Sequence, residues 1–136
     1  AIMEQLGATL IETGGNGYCE SDTYLHYKYG HVDIDIISGF TLLTFGTTYV
    51  YRYNKEELEY VDIGNKNMPI VPLEALYILY YMMEGWQPKR KLKRLVIEEV
   101  LLENKALKFP EIFKKALKNF KLPTQLNSNL KKMLIR

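Results

Sequence analysis

The chain has 136 residues, of which 47% are hydrophobic and 25% charged, and its formal net charge is +2. This length suits a single domain, and the composition is that of an ordinary globular protein. No apolar run reaches the roughly 18 residues that a membrane span needs, so we expect a soluble, intracellular protein. The first residues lack the basic region of a signal peptide, and a lone Cys19 excludes an intramolecular disulfide.

The charge is divided between the two ends of the chain. Residues 1–85 hold four basic and twelve acidic side chains, whereas residues 86–136 hold fourteen basic and four acidic ones. Such asymmetry is typical of a chain whose basic part binds a polyanion or an acidic protein surface. The two halves could equally attract each other, so charge alone leaves both interpretations open.

The first half is predicted to form strands. Residues 1–22 are weakly patterned, and GGNG at 14–17 indicates a flexible turn. Residues 23–63 alternate apolar and polar side chains, as in TYLHYKY and HVDIDII, which predicts an antiparallel β-meander with a wet outer face. Tyrosines 49, 51 and 53 would line one face of it, and residues 64–67 would form a loop.

Residues 73–84 form the most apolar segment and predict a helix at the centre of the core. Pro72 suits the first turn of this helix, and Gly85 would end it in a left-handed conformation. Leu76 lies on the predicted apolar stripe and is expected to be fully buried.

The elements after this helix are predicted from shorter patterns. Residues 94–102 could form a helix, but their β-branched side chains favour a strand. ENK at 103–105 resembles a turn, and LKF at 107–109 predicts a short second strand. Pro110 would begin an amphipathic helix, and Thr124 would cap a final short one. The predicted fold class is therefore α+β, with a β-meander, a central apolar helix and two or three further short elements. Residues 72–136 would be the helix-rich, basic half.

The sharpest local feature is the basic run PKRKLKR at 88–94. Its cations could contact phosphates while the neighbouring tryptophan stacks on bases, and lysines of the helix beginning at Pro110 could extend this surface. A solvated basic loop or a nuclear-localisation-type cluster is the competing interpretation. The candidate RNA-binding residues are Trp86, Lys89, Arg90, Lys91, Lys93, Arg94, Lys114 and Lys118.

Other candidate chemistry is weaker. His31, Asp33 and Asp35 alternate at a spacing that a metal could use, but a solvated strand face has the same pattern. A dyad of Cys19 with His26 lacks an orienting third group, and the glycines at 14–17 lack the GK[ST] of a phosphate loop. The sequence therefore predicts no catalytic residue, no metal site and no cofactor.

Three segments in this order resemble the amino-terminal domain of tRNA-splicing endonuclease subunits. PLEALYILYYMMEGW at 72–86 looks like the helix of that domain, with its Glu-Ala-Leu-Tyr core and terminal glycine. IISGFTLLTFG at 36–46 is similar to a strand-turn-strand of the non-catalytic scaffold subunit, and NKALKFPEIFKKALKN at 104–119 resembles a later amphipathic helix. The likeness spans roughly residues 28–120, and the insert at 86–103 is longer and more basic than the family pattern.

The resemblance implies a structural subunit, or a fragment or short form of one, because the family's catalytic residues lie in a separate carboxy-terminal nuclease domain. Such a protein would join a catalytic endonuclease subunit in a hetero-oligomer, away from membranes, and help to position the RNA, a tRNA precursor. It would be nuclear in a eukaryote and cytoplasmic in an archaeon. Two other classes stay open: a small nucleic-acid-binding or adaptor protein, and a small metal-dependent or acid–base enzyme built on His26, His31, Asp33 and Asp35.

Overall fold

The computed structural model describes residues 2–13, 19–20, 23–52, 54–85, 87–104 and 106–135. Antiparallel strands come first and helices follow, which confirms the predicted α+β class. Within these ranges, no helix combines the length and the apolar character that crossing a membrane requires.

The first half contains a short helix, the strands and one 3-10 turn, Lys55–Glu57. The elements that the structure describes there are α1 (Ile2–Gln5), β1 (Thr9–Thr13), β2 (Cys19–Glu20), β3 (Thr23–Tyr29), β4 (Val32–Ser38), β5 (Phe40–Thr44), β6 (Thr47–Tyr51), β7 (Glu59–Ile63) and β8 (Lys66–Ile70).

These strands divide the predicted antiparallel meander among three sheets. β1, β3 and β4 form one sheet, β2, β5 and β6 form another, and β7 pairs only with β8 among the described strands. The prediction of a loop at 64–67 is wrong at Lys66 and Asn67, which pair with β7. The tight turn needs only Gly64 and Asn65, because Gly64 adopts a left-handed φ of 64°.

The second half consists of the helices α2 (Leu73–Met83), α3 (Arg90–Glu103), α4 (Pro110–Asn119) and α5 (Thr124–Leu134). α2, α4 and α5 match the predicted helices. The strand predicted within 94–102 is wrong, because Ile97 and Leu101 lie four residues apart and both become buried in a helix. Residues 107–109 are described and form no strand.

α2 lies at the centre of the core, as predicted. Tyr77, Ile78 and Met82 are fully buried, and the core that surrounds them draws on β5, β6, α3, α4 and α5. Leu76 is only half buried, so its predicted complete burial is wrong. The buried side of α2 is turned toward Ile78 and includes Glu74, a residue that an apolar stripe does not anticipate.

Two helix ends are formed differently from the prediction. Gly85 follows α2 without the predicted left-handed conformation. A Cβ at Gly85 would lie 2.5 Å from Cβ of Thr44, so the glycine allows β5 to approach the end of α2. Thr124 is the first residue of α5 and not its cap, because Pro123 occupies the N-cap position.

Two tyrosines of β6 confirm part of the strand pattern. Tyr49 and Tyr51 are both buried and face the core, as alternation requires. Tyr53 and the glycines at 14–17 lie outside the described residues. The predicted third tyrosine and the predicted flexible turn therefore stay predictions.

Candidate nucleic-acid interface

The basic run at 88–94 lies at the start of α3. Lys89 is the N-cap residue, and the other four cations occupy the first turns of the helix. A helix turns by about 100° per residue, so these side chains point to different sides and have different surroundings.

Arg94 is held inside the protein. Its guanidinium donates hydrogen bonds to the carboxylate of Glu84 at 3.1 and 3.3 Å and to Glu98 at 3.1 Å. Burial by itself would lower the pKa of Arg94, but the hydrogen bond and charge of Glu84 outweigh it and raise that pKa. The Arg94 and Glu84 side chains are each only 12% exposed, and the guanidinium lies 4.8 Å from the ring centre of Tyr81. Arg94 therefore fastens α3 to α2, and its donors are used within the chain.

Arg90 and Lys93 both lie over one aromatic ring of α2. The Arg90 guanidinium is 5.7 Å from the ring centre of Tyr80, and the Lys93 ammonium is 6.0 Å from it. Arg90 also donates a hydrogen bond to Gln87 at 2.9 Å. Cations at this range are attracted by the face of the ring, so Tyr80 helps to orient both side chains.

Lys91 lines a shallow cleft of about 330 Å³ at the junction of α3 with the β5–β6 turn. The other lining residues are Phe45, Tyr81, Glu84, Pro88 and Arg94. Phe45 is 51% exposed, and its ring centre lies 6.0 Å from that of Tyr81. The cleft thus places an exposed aromatic ring near an amine.

Phe45 is also conformationally unusual. Phe45 and Gly46 form the two-residue turn between β5 and β6, with φ values of 54° and 67°. A turn with two positive φ values favours Asn-Gly, and a bulky residue in its first position is strained. Strained residues are concentrated at functional sites. The strand pattern over residues 23–63 does not single out Phe45; the Phe-Gly pair between FTLLT and TTYVY was the available signal.

The other predicted cations lie on α4. Lys114 and Lys118 are exposed there, as expected, and Lys114 pairs with Glu111 at 3.1 Å. Lys115 bonds instead to Glu57 at 2.7 Å, a hydrogen bond that raises the pKa of Lys115. The α3 and α4 cations occupy separate helices that both pack on α2. Trp86 lies outside the described residues, so its predicted stacking role is not located.

A second cleft of about 320 Å³ opens between β6 and α4. Its lining includes Tyr49, Arg52 and Asn119, with the Glu57–Lys115 pair on one side. Burial raises the pKa of Tyr49, so its hydroxyl stays protonated at neutral pH. The cleft offers hydrogen-bond donors and an ion pair, and no activated nucleophile is evident among the described side chains that line it.

The histidines do not converge with the aspartates on one site. His26 shares a hydrogen bond with Asp33 at 3.0 Å, whereas His31 lies in the turn before β4. In the part of the chain that the structure describes, no three His, Cys, Asp or Glu side chains are placed to hold a metal. The structure describes the backbone of Cys19, which belongs to β2, and does not describe its side chain.

Comparison of the chain with protein-family models, with curated proteins and with solved structures finds no match. The similarity to the tRNA-splicing endonuclease therefore rests on the three sequence segments alone.

Proposed function

We propose that the chain is a non-catalytic scaffold domain of a tRNA-splicing endonuclease, which helps to assemble the enzyme and to position the tRNA precursor. One observation supports this proposal more than any other. The three segments that resemble the family, at 36–46, 72–86 and 104–119, meet in one core and are joined by specific hydrogen bonds.

The first and second segments are joined at the end of α2. The hydroxyl of Thr44 donates to the carbonyl oxygen of Met82 at 2.6 Å. Both residues are buried, and Gly85 leaves the space that this approach needs. The glycine that ends the helix segment therefore has a packing role toward the strand segment.

The second and third segments are joined by a buried carboxylate. Oε1 of Glu74 accepts hydrogen bonds from the backbone N–H groups of Lys108 at 2.9 Å and Phe109 at 3.0 Å. Phe109 is the N-cap residue of α4, so Glu74 lies at the positive end of that helix. The glutamate of the Glu-Ala-Leu-Tyr sequence thus fixes α4 against α2. Rigid joints of this kind suit a scaffold, because a partner surface must keep its geometry.

Co-purification tests the scaffold proposal. The full chain, tagged and expressed in its native host, should capture a catalytic endonuclease subunit identified by mass spectrometry. The captured complex should cleave a tRNA precursor, whereas the chain purified alone should not. A Glu74→Ala variant, whose joint between α2 and α4 is broken, should capture less.

Repeated capture of other proteins without any nuclease subunit would contradict the scaffold proposal. Cleavage by the chain alone, lost on substitution of His26 or His31, would favour the small-enzyme class.

A second candidate function, nucleic-acid binding by the chain alone, is favoured by the cleft beside Phe45. Single-stranded nucleic acid binds where aromatic rings stack on bases and cations neutralise phosphates. Phe45 offers an exposed ring in a strained turn, and Lys91 lines the same cleft. Lys89 and Lys93 are also exposed, but they lie on another side of the same helix.

Phe45→Asn is a sharp test of RNA binding, because Asn tolerates a positive φ and should keep the turn while the ring is lost. Loss of one stacked base should weaken single-stranded RNA binding roughly tenfold in an anisotropy titration. Lys91→Ala should make the logarithmic salt slope shallower by about 0.7. Tyr60→Asn, at a site 54% exposed on β7, is the matched control and should bind like the parent. Unchanged binding by Phe45→Asn would remove the cleft from consideration.

A further inference from the structure

The outer face of α3 carries an apolar ridge. Leu92, Val96 and Val100 are 72%, 62% and 37% exposed, and their spacing of four residues aligns them along one side of the helix. Ile97 and Leu101 are buried toward the core, and Leu95 and Leu102 are 42% and 49% exposed on a third side, so the apolar side chains of α3 face several directions. Contiguous exposed apolar side chains mark interaction surfaces more often than isolated ones do.

The charges along this ridge are ordered about Val96. Lys89 and Lys93 precede Val96 by seven and three residues, and Glu99 and Glu103 follow it by three and seven. All four of these charged side chains are exposed. On this face, the positions three and seven residues on either side of Val96 therefore carry opposite charges.

This order does not stabilise the isolated helix. A helix favours acidic residues in its first turn and basic residues in its last turn, because of its dipole. α3, every residue of which is described, has no acidic residue in the first turn and no basic residue in the last. Contact with another molecule therefore explains the order of charges along α3 better than the stability of the isolated helix does.

We propose that α3 forms the interface of a symmetric homodimer, in which two copies of α3 pack antiparallel with Val96 on the two-fold axis. A two-fold interface uses the same patch on both copies, so each contact occurs twice. The contacts between one copy and its partner pair Leu92 with Val100, Lys93 with Glu99, and Lys89 with Glu103. Antiparallel packing also sets opposite helix ends beside each other, which the dipoles favour.

Other occupants fit this face less well. Parallel pairing of two α3 helices would set lysines beside lysines and glutamates beside glutamates. An RNA or an anionic membrane would be repelled by Glu99 and Glu103, which lie on the exposed face. A second copy in antiparallel orientation satisfies both charged ends at once.

The size of the face sets the expected strength. The 14 residues of α3 span about 21 Å, so this contact alone falls below the roughly 1,200 Å² that stable complexes bury. We expect a weak dimer whose population depends on protein concentration. Lys91 lies on another side of α3, so the dimer does not require the cleft beside Phe45.

Charge exchange tests the interface on the full chain by sedimentation equilibrium, from about 1 µM to about 1 mM. The average mass of the parent should rise from 15.9 kDa toward twice that value. The double variant Lys89→Glu with Lys93→Glu should stay monomeric, and so should Glu99→Lys with Glu103→Lys. An equimolar mixture of these two variants should associate again. The variant with all four substitutions keeps the parent's net charge and should associate by itself.

Cross-linking tests the two-fold axis. Val96→Cys in a Cys19→Ser background should form a disulfide-linked dimer on mild oxidation, because only a residue at the axis meets its own copy. Val32→Cys, at a site 57% exposed on β4, is the matched control and should link at least tenfold more slowly.

Four results would overturn the proposed interface. The parent could stay monomeric over the whole concentration range, or the charge variants could associate as the parent does. Glu99→Lys with Glu103→Lys could bind RNA or anionic vesicles more tightly than the parent at unchanged mass, which would identify a polyanion surface instead. Equal cross-linking at positions 96 and 32 would exclude the proposed axis.

Discussion

α3 and α4 both pack on α2, yet they present different faces to solvent. The exposed side chains of α4 are all polar: Glu111, Lys114, Lys115, Lys118 and Asn119. α4 has an acidic residue in its first turn and a basic one in its last, as the helix dipole favours, whereas α3 has neither. The order of charges on α4 thus favours the helix itself, whereas the order of charges on α3 does not.

The two helices also differ in how α2 holds them. Glu74 of α2 binds backbone N–H groups at the start of α4, so that joint does not depend on an α4 side chain. Glu84, at the other end of α2, binds the side chain of Arg94 on α3. A single substitution on α3 can therefore break its polar contact with α2. The corresponding contact of α4 is broken by a substitution on α2.

The largest expected effect follows from removing the α4 joint. Glu74→Ala leaves two partly buried N–H groups without their carboxylate acceptor, and each such hydrogen bond contributes about 1.5–3 kcal/mol. We expect the free energy of unfolding to fall by about 3–5 kcal/mol in urea denaturation. Glu74→Gln is the control, because it keeps an acceptor oxygen and should lose roughly half as much. A loss below about 1 kcal/mol would show that α4 is held by apolar packing alone.

A smaller effect is expected from removing the α3 joint. Arg94→Ala strands the carboxylates of Glu84 and Glu98 in a half-buried site, which should lower the free energy of unfolding by about 2 kcal/mol. Amide hydrogen exchange should accelerate in α3 more than in α4, since the release is local. Arg94→Lys keeps the charge without the planar fork and should lose less. Equal acceleration of amide hydrogen exchange in α3 and α4 would contradict the view that the two helices are held by independent contacts.

The same contrast explains what the sequence could predict. α4 has one apolar and one polar face, so its helical period is plain in the sequence. α3 has apolar residues on several sides, and from Leu95 to Leu102 only Glu98 and Glu99 interrupt them. The period is therefore obscured, and the β-branched Val96, Ile97 and Val100 favour a strand by propensity alone. The two ridges at four-residue spacing were the signal for a helix.

The surroundings of each cation in the basic run could not be predicted from the sequence. The sequence shows a charged segment at residues 88–94, and its role in RNA binding stays a prediction. The difference between Lys91, which lines a cleft with Phe45, and Arg94, which is enclosed by carboxylates, depends on tertiary packing. The sequence does not show which of the neighbouring cations pairs with Glu84, which lies ten residues before Arg94.

Alkaline pH should weaken the α4 side of the core before the α3 joint. Burial raises the pKa of Tyr77 to about 12, although a hydrogen bond from Asn129 opposes the shift. The ring of Tyr77 packs against Phe113 of α4, with ring centres 6.2 Å apart. A raised folded-state pKa gives stability that is complete below the unfolded-state pKa of about 10 and is lost between about pH 10 and pH 12.

We expect this titration to remove about 1–2 kcal/mol of unfolding free energy across that range. Tyr77→Phe cannot ionise at this position, so its stability should fall less steeply with pH than that of the parent. Urea midpoints at about pH 8 and about pH 11.5 measure the difference. Identical slopes for the two proteins would mean that the alkaline transition belongs to other groups. Because Arg94 stays charged throughout, its joint should persist.

The smallest expected effect concerns the exposed lysines of α4. Lys114→Ala with Lys118→Ala should change the free energy of unfolding by no more than about 0.5 kcal/mol, because both side chains lie at the surface. If α4 extends the RNA surface, each lost phosphate contact should make the logarithmic salt slope shallower by about 0.7. Lys131→Ala with Lys132→Ala on α5 is the matched control and should leave the slope unchanged. Equal changes in both pairs would indicate general attraction to the basic half. No change in either pair would leave the α4 lysines with a role in solubility alone and would confine RNA contact to α3.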